Sequence, residues 1–175
     1  MSIFCGLKCW NVCSCGGGPT LRLSFGKAVE IQLALENGIL KNYKGQYELF
    51  FLCSWRLDNK NNSPIISSSK CNYDEIKEIT ISLIGDFIES IEITSPVYDA
   101  TIHFLSGKQV KIFCDQIPLD DMGGSFNWCC DDYTNVYYIG PGKKINKSTR
   151  LGLISNILYE PDELDPTYVI SDKIY

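Results

Sequence analysis

Several residue types and runs that particular functions require are scarce in this sequence or missing from it. There is one histidine, His103, in 175 residues. A Ser-His-Asp or Cys-His mechanism would have to use that imidazole. It lies between Ile102 and Phe104 in an alternating segment, so it points to the opposite face from both. The sequence has no Gly-x-Ser-x-Gly elbow, no Gly-rich phosphate loop and no Gly-x-Gly-x-x-Gly turn. No constellation for an enzyme is therefore assigned. No apolar run approaches the ~20 residues of a membrane span. Met1 to Lys8 lacks the basic region that precedes the apolar core of a signal peptide. A cytoplasmic location is the expectation. Basic residues are also too few, 16 against 21 acids, for a chain that neutralises phosphates, so nucleic acid is not an expected partner.

What the sequence does contain is period-2 alternation. Phe87 to Thr94, Tyr98 to Leu105 and Lys108 to Cys114 alternate apolar and polar residues, with Ser106-Gly107 where a hairpin turn belongs. Thr20 to Leu35 alternates too and reads as two strands broken near Gly26-Lys27. Asn37-Gly38 marks a turn. Gln46 to Leu57 reads as a central strand, and Asp58 to Tyr73, rich in Asn and Ser, as a long surface loop. Asp74 to Ile84 combines a possible helix cap with β-branched residues; a short helix or turn running into Gly85 is the reading adopted. Phe126 to Cys130 and Thr134 to Ile139 form a further strand pair. The expected core includes Trp55, Ile91, Ile93, Ile102, Phe104, Val110, Ile112 and Trp128.

These patterns predict a mainly β chain: a single antiparallel β-sheet sandwich or open barrel with a short helix and irregular N- and C-terminal extensions. Residues 1–18 read as a Cys- and Gly-rich leader, 19–142 as the β-rich core domain, and 143–175 as a C-terminal appendage packed on that core.

Nine cysteines are many for this length, but the number is odd and no signal peptide is visible, so reduced thiols fit better than a disulfide framework. Cys53 and Cys114 sit in apolar strands, where cysteine acts as a small hydrophobe. Cys5, Cys9, Cys13 and Cys15 are a weak candidate for tetrahedral Zn²⁺, because their spacing is not the usual paired Cys-x2-Cys form. The competing reading is a leader that docks its thiols with Ile3, Phe4, Leu7 and Trp10 onto the body. No other cofactor is expected.

Charge is unevenly placed. Residues 1–114 hold 11 acids and 11 bases, whereas residues 115–175 hold 10 acids and 5 bases. Asp115, Asp120, Asp121, Asp131 and Asp132 form one acidic segment; Glu160, Asp162, Glu163 and Asp165 form another. Loop acids of this kind serve solubility or a basic protein partner. Lys143, Lys144, Lys147 and Arg150 lie between the segments and could neutralise them internally.

A resemblance rests on pieces in order: Leu21-Arg-Leu-Ser-Phe-Gly26, Cys53-Ser-Trp-Arg-Leu57, Leu83-Ile-Gly-Asp-Phe-Ile-Glu-Ser-Ile91, the hairpin from Tyr98 to Phe113, and a Trp128 strand before Val136. Over residues 20–142 this pattern resembles a bacterial immunity-protein family, inhibitors encoded beside wall-associated, contact-dependent nuclease toxins of the polymorphic class. The resemblance implies a protein that binds and occludes a cognate toxin C-terminal domain, a basic one if the acidic segments above form the interface. The alternative is a metal- or redox-responsive binding module built on the N-terminal cysteines.

Overall fold

The computed structural model describes residues 2–14, 20–35, 38–69, 73–115, 127–132, 134–140, 145–149 and 154–163. In chain order the strands are β1 (Cys9–Cys13), β2 (Leu21–Leu35), β3 (Gly38–Phe51), β4 (Ser54–Asp58), β5 (Pro64–Ser67) and β6 (Ile88–Thr94). They continue as β7 (Asp99–Phe104), β8 (Gln109–Phe113), β9 (Trp128–Asp131), β10 (Asn135–Ile139), β11 (Ile145–Thr149) and β12 (Ile154–Tyr159). A short helix, α1 (Tyr73–Thr80), precedes β6. The fold is mainly β, as expected: two antiparallel sheets that do not close into a barrel, consistent with the expected sandwich.

The smaller sheet has the order β5-β4-β8-β7-β6. Its central strands expose one face to water, so the alternation in the sequence maps directly onto burial: Ala100, Ile102, Phe104, Val110 and Ile112 point inward and their neighbours outward. The β7–β8 turn falls at Ser106-Gly107, where Gly107 takes a φ of 86° that a side chain would strain. The expected helix forms, with Asp74 and Glu75 in its first turn where the helix dipole favours them.

The larger sheet has the order β1-β2-β3-β9-β10-β11, and β12 pairs with β2 beyond β1. Here local expectations needed correction. Thr20 to Leu35 is one long strand from Leu21. The Gly26-Lys27 break is a β-bulge, between Phe25 and Ala28, with Gly26 at φ 70°. Before the bulge β2 pairs with β1; after it, the same edge pairs with β12. Gln46 to Leu57 is divided: β3 ends at Phe51 in the larger sheet and β4 starts at Ser54 in the smaller one. At the crossing, the Leu52 and Cys53 amides both donate to the Asn127 carbonyl, at 2.8 and 3.1 Å. The segment from Asp58 to Tyr73 is not all loop, because Pro64–Ser67 pairs with β4 as an edge strand. The leader and the tail are not irregular throughout either, since each contributes strands to the larger sheet.

One core joins the inner faces. Leu21, Leu23, Leu49, Phe51 and Trp128 of the larger sheet meet Trp55, Leu57, Ile102, Phe104 and Val110 of the smaller. Phe4 closes one end, edge-on to Phe25 at 6.1 Å and to Tyr47 at 5.8 Å. Two expected core residues fall short. Ile91 is half-buried and Ile93 is 40 % exposed. Both pair with inward residues, Ile102 and Ala100, so their face was read correctly. They sit on the edge strand β6, where the opposite sheet leaves them uncovered.

Candidate functional site

The β9–β10 hairpin divides its residues between two clefts. Its register sets Cys130 opposite Tyr137 and Trp128 opposite Ile139 on the inner side, and Cys129 opposite Tyr138 and Asp131 opposite Val136 on the outer side. Asp131 and Asp132 therefore point apart, as neighbours at a strand end must.

The inner cleft, about 380 Å³, is lined by Ile3, Phe4, Ile93, Tyr98, Cys130, Asp132, Tyr137 and Ile139. It opens where β6 overhangs the core. Ile3 and Ile93 on its walls are 51 % and 40 % exposed, and Val97 beside Tyr98 is 43 % exposed. Burial pushes the Cys130 thiol up to about 11, so it stays protonated. Tyr98 holds a φ of 62°, rare for an aromatic residue. Its carbonyl accepts Trp128 Nε1 and Cys114 Sγ, each at 3.1 Å. Asp132 is the polar group of this cleft. Its Oδ1 accepts the amides of Thr134 (3.2 Å) and Asn135 (2.7 Å), which fixes the hairpin turn, while Oδ2 has no hydrogen-bond partner among the described residues. The arrangement is an apolar socket with a carboxylate at its edge. It suits an apolar anchor flanked by a cation.

The outer cleft, about 300 Å³, is lined in part by Arg22, Lys44, Glu48, Asp131 and Tyr138. Asp131 faces Glu48 across the β3–β9 ladder. Burial pushes the neighbouring Cys129 thiol up to about 12.

The structure does not gather the acids of the sequence into one surface. Asp131, expected in a loop, is a buried strand residue. Asp115 is exposed and accepts the Ser54 amide at 3.2 Å. Glu160 pairs with Lys27 at 2.8 Å and Asp162 with Lys8 at 3.7 Å, which fastens the tail to the β1–β2 region. Internal neutralisation thus comes from Lys8 and Lys27 for these two acids. Glu163 ends a short 3₁₀ turn, Pro161–Glu163. Asp120, Asp121 and Asp165 lie outside the described residues.

Of the cysteine candidates, Cys15 also lies outside them. Cys9 is fully buried in the core and Cys5 is exposed; burial raises the Cys9 thiol far above its usual range, against thiolate ligation. Among the described residues no three His, Cys, Asp or Glu side chains form a metal-sized group. Phe4 and Trp10 of the leader are buried and Ile3 is not, so the leader docks largely as an apolar plug. His103 lies on the outer face of the smaller sheet, its Nε2 3.6 Å from Glu92 Oε1. No described helix is long and apolar enough to cross a membrane.

Sequence reasoning missed the parts played by Tyr98 and Ile3 in the inner cleft, and by Arg22, Lys44 and Glu48 in the outer one. Ile91 and Ile93 on β6 were the available signal, had the edge position of that strand been known. Comparison with protein-family models, with curated proteins and with solved structures found no match for this chain.

Proposed function

We propose that this chain is a protein-binding inhibitor of the immunity type, which occludes a basic toxin domain by taking one of its apolar side chains into the inner cleft. The observation that carries the reading is the cleft itself: exposed Ile3 and Ile93 beside half-buried Tyr98 and Tyr137, with Asp132 at the edge. Apolar sockets ringed by polar groups are where protein interfaces concentrate their energy. The resemblance over residues 20–142 supports the same class, and the negative balance of the chain favours a basic partner.

The test mixes the purified protein with the toxin domain encoded beside it. Ile93→Ser is expected to weaken the complex at least tenfold, about 1.4 kcal/mol, while leaving the fold intact. An unchanged affinity would remove the inner cleft from the interface. No association at all would reject the inhibitor reading.

A further inference from the structure

Cys53 and Cys114 are more than small hydrophobes in apolar strands. The β4–β8 ladder ends with Ser54 opposite Phe113. Cys53 and Cys114 are the next residues past that last pair, and continuing its register by one step would set them opposite each other. Both then lie on the side of Trp55 and Ile112, facing the core. Residues opposed in this way have Cα atoms roughly 4.5–5.5 Å apart, within the ~4.4–6.8 Å that a disulfide spans. Each thiol shifts the other's protonation, Cys53 upward and Cys114 downward, and both are free. We propose that Cys53 and Cys114 are a redox modification site, closing into a reversible disulfide that ties β4 to β8 beside the crossing between the sheets.

The two thiols are unequal in ways the chemistry needs. Cys53 is 1 % exposed, whereas Cys114 is half-buried and reachable. The neighbouring Cys53 thiol and the Trp128 indole hold the Cys114 thiol below its usual range, against burial and the charges of Asp99 and Asp115. The neighbouring Cys114 thiol, with burial, pushes the Cys53 thiol far up, so it keeps its proton. Cys114 is thus the nucleophile and Cys53 the resolving thiol. With a peroxide as oxidant, the Cys114 thiolate attacks one oxygen: an S–O bond forms, the O–O bond breaks, and the leaving hydroxide takes a proton to become water. The Cys53 sulfur then attacks the Cys114 sulfur. An S–S bond forms, the S–O bond breaks, and the Cys53 proton leaves with the second hydroxide as water. Two electrons pass from the thiols to the peroxide.

The same step acts on the inner cleft. As a thiol, Cys114 donates to the Tyr98 carbonyl, which also holds Trp128 Nε1. A disulfide has no hydrogen to donate. Oxidation therefore removes one of the two side-chain donors on the carbonyl of a residue held at positive φ. Tyr98 is a wall of that cleft, so the disulfide loosens the wall. The effect on partner binding rests on the inhibitor reading above; the disulfide does not.

The test treats the reduced full-length protein with equimolar hydrogen peroxide, alkylates the remaining thiols and maps them by mass spectrometry. The expected product is a 53–114 cross-linked peptide, two hydrogens lighter and restored by dithiothreitol. Recovery of both residues alkylated, or of Cys114 joined to another cysteine, would overturn the proposal. Wild-type mapping needs no variant. Cys53→Ala adds a check, because it should leave Cys114 as a dimedone-reactive sulfenic acid; an unreactive Cys114 in folded protein would count against its role as nucleophile. For the wall, amide exchange across residues 94–98 should quicken in the oxidised form, and unchanged exchange would reject the coupling. Finally, oxidation should slow toxin-domain association about tenfold. If reduced protein does not bind that domain, the inhibitor reading fails while the mapped disulfide stands. If reduced protein binds and no disulfide forms, the inference fails alone.

Discussion

On the smaller sheet, Asp58 has no exposed side-chain surface and is held by Arg56 Nε at 2.7 Å, Arg56 Nη2 at 3.0 Å and Lys111 Nζ at 2.9 Å. On the larger sheet, Glu48 is nearly as buried, yet its ion pair to Arg22 Nε spans 4.0 Å. Its other bonds are neutral and long, from Ser24 Oγ at 3.3 Å and the Gly45 amide at 3.2 Å. The first carboxylate is covered by the side chains that bind it and forms a closed ion cluster. The second borders a cleft and is held loosely. Burial of a charge therefore serves two ends in one molecule: in the smaller sheet it completes a face, and in the larger it leaves a concave face lined with charge of both signs.

Both sheets draw on one core. Phe104→Ala on the smaller sheet and Phe51→Ala on the larger both remove fully buried rings. Each is expected to cost about 3–5 kcal/mol, read from chemical denaturation. If one truncation is tolerated, or unfolding splits into two transitions, the sheets are not one cooperative unit.

The next effect separates the two carboxylates. Asp58→Asn is expected to cost about 3 kcal/mol at pH 7, the lower end for breaking a buried pair, because both cations remain within reach of water. Burial opposes the Asp58 charge, but the bonds from Arg56 and Lys111 outweigh it and depress the carboxyl pKa. A depressed carboxyl stabilises the fold fully above its unfolded value of about 3.9. That contribution is lost as pH falls from there through the folded pKa. The gap between wild type and Asp58→Asn should accordingly close below pH 4 and hold steady above pH 5. Glu48→Gln keeps an acceptor for the Gly45 amide and gives up a stretched ion pair, so about 1 kcal/mol is expected. Equal losses for the two variants would show that the distances do not decide how tightly each carboxylate is held.

The two sheets also differ in how far the sequence discloses them. Strands β7 and β8 alternate inward and outward with water on one side, and polar residues mark the outer face. Period-2 reading recovers those strands, their turn and most of their core. Strands β1 and β9 are buried on nearly every residue, so Asn11 and Asp131 go inside along with the hydrophobic residues. There, polarity stops marking the solvent face, and Asp131 reads as a loop acid. The outer cleft depends on register between residues as far apart as Arg22, Glu48 and Asp131, which no local pattern carries. The inner cleft was half visible: Ile93 was placed on the correct face, and only the missing cover over β6 turned it from core into cleft wall.

The smallest effect on stability should be the most informative about function. Asp132→Asn retains the Oδ1 acceptor for the Thr134 and Asn135 amides, so the hairpin turn survives and stability should change by no more than about 0.5 kcal/mol. What the substitution removes is the negative charge at the edge of the inner cleft. If that charge guides a basic partner, association at low salt should slow severalfold while dissociation changes less, since edge charges act chiefly on the encounter. Raising the salt shortens the screening length from ~10 Å at 0.1 M to ~3 Å at 1 M, and the wild-type and variant rates should converge. Glu48→Gln, on the opposite face of the same sheet, serves as the control and should leave association unchanged at either salt. A larger effect from Glu48 than from Asp132 would move the interface to the outer cleft, and the buried, loosely held carboxylate would become the recognition site.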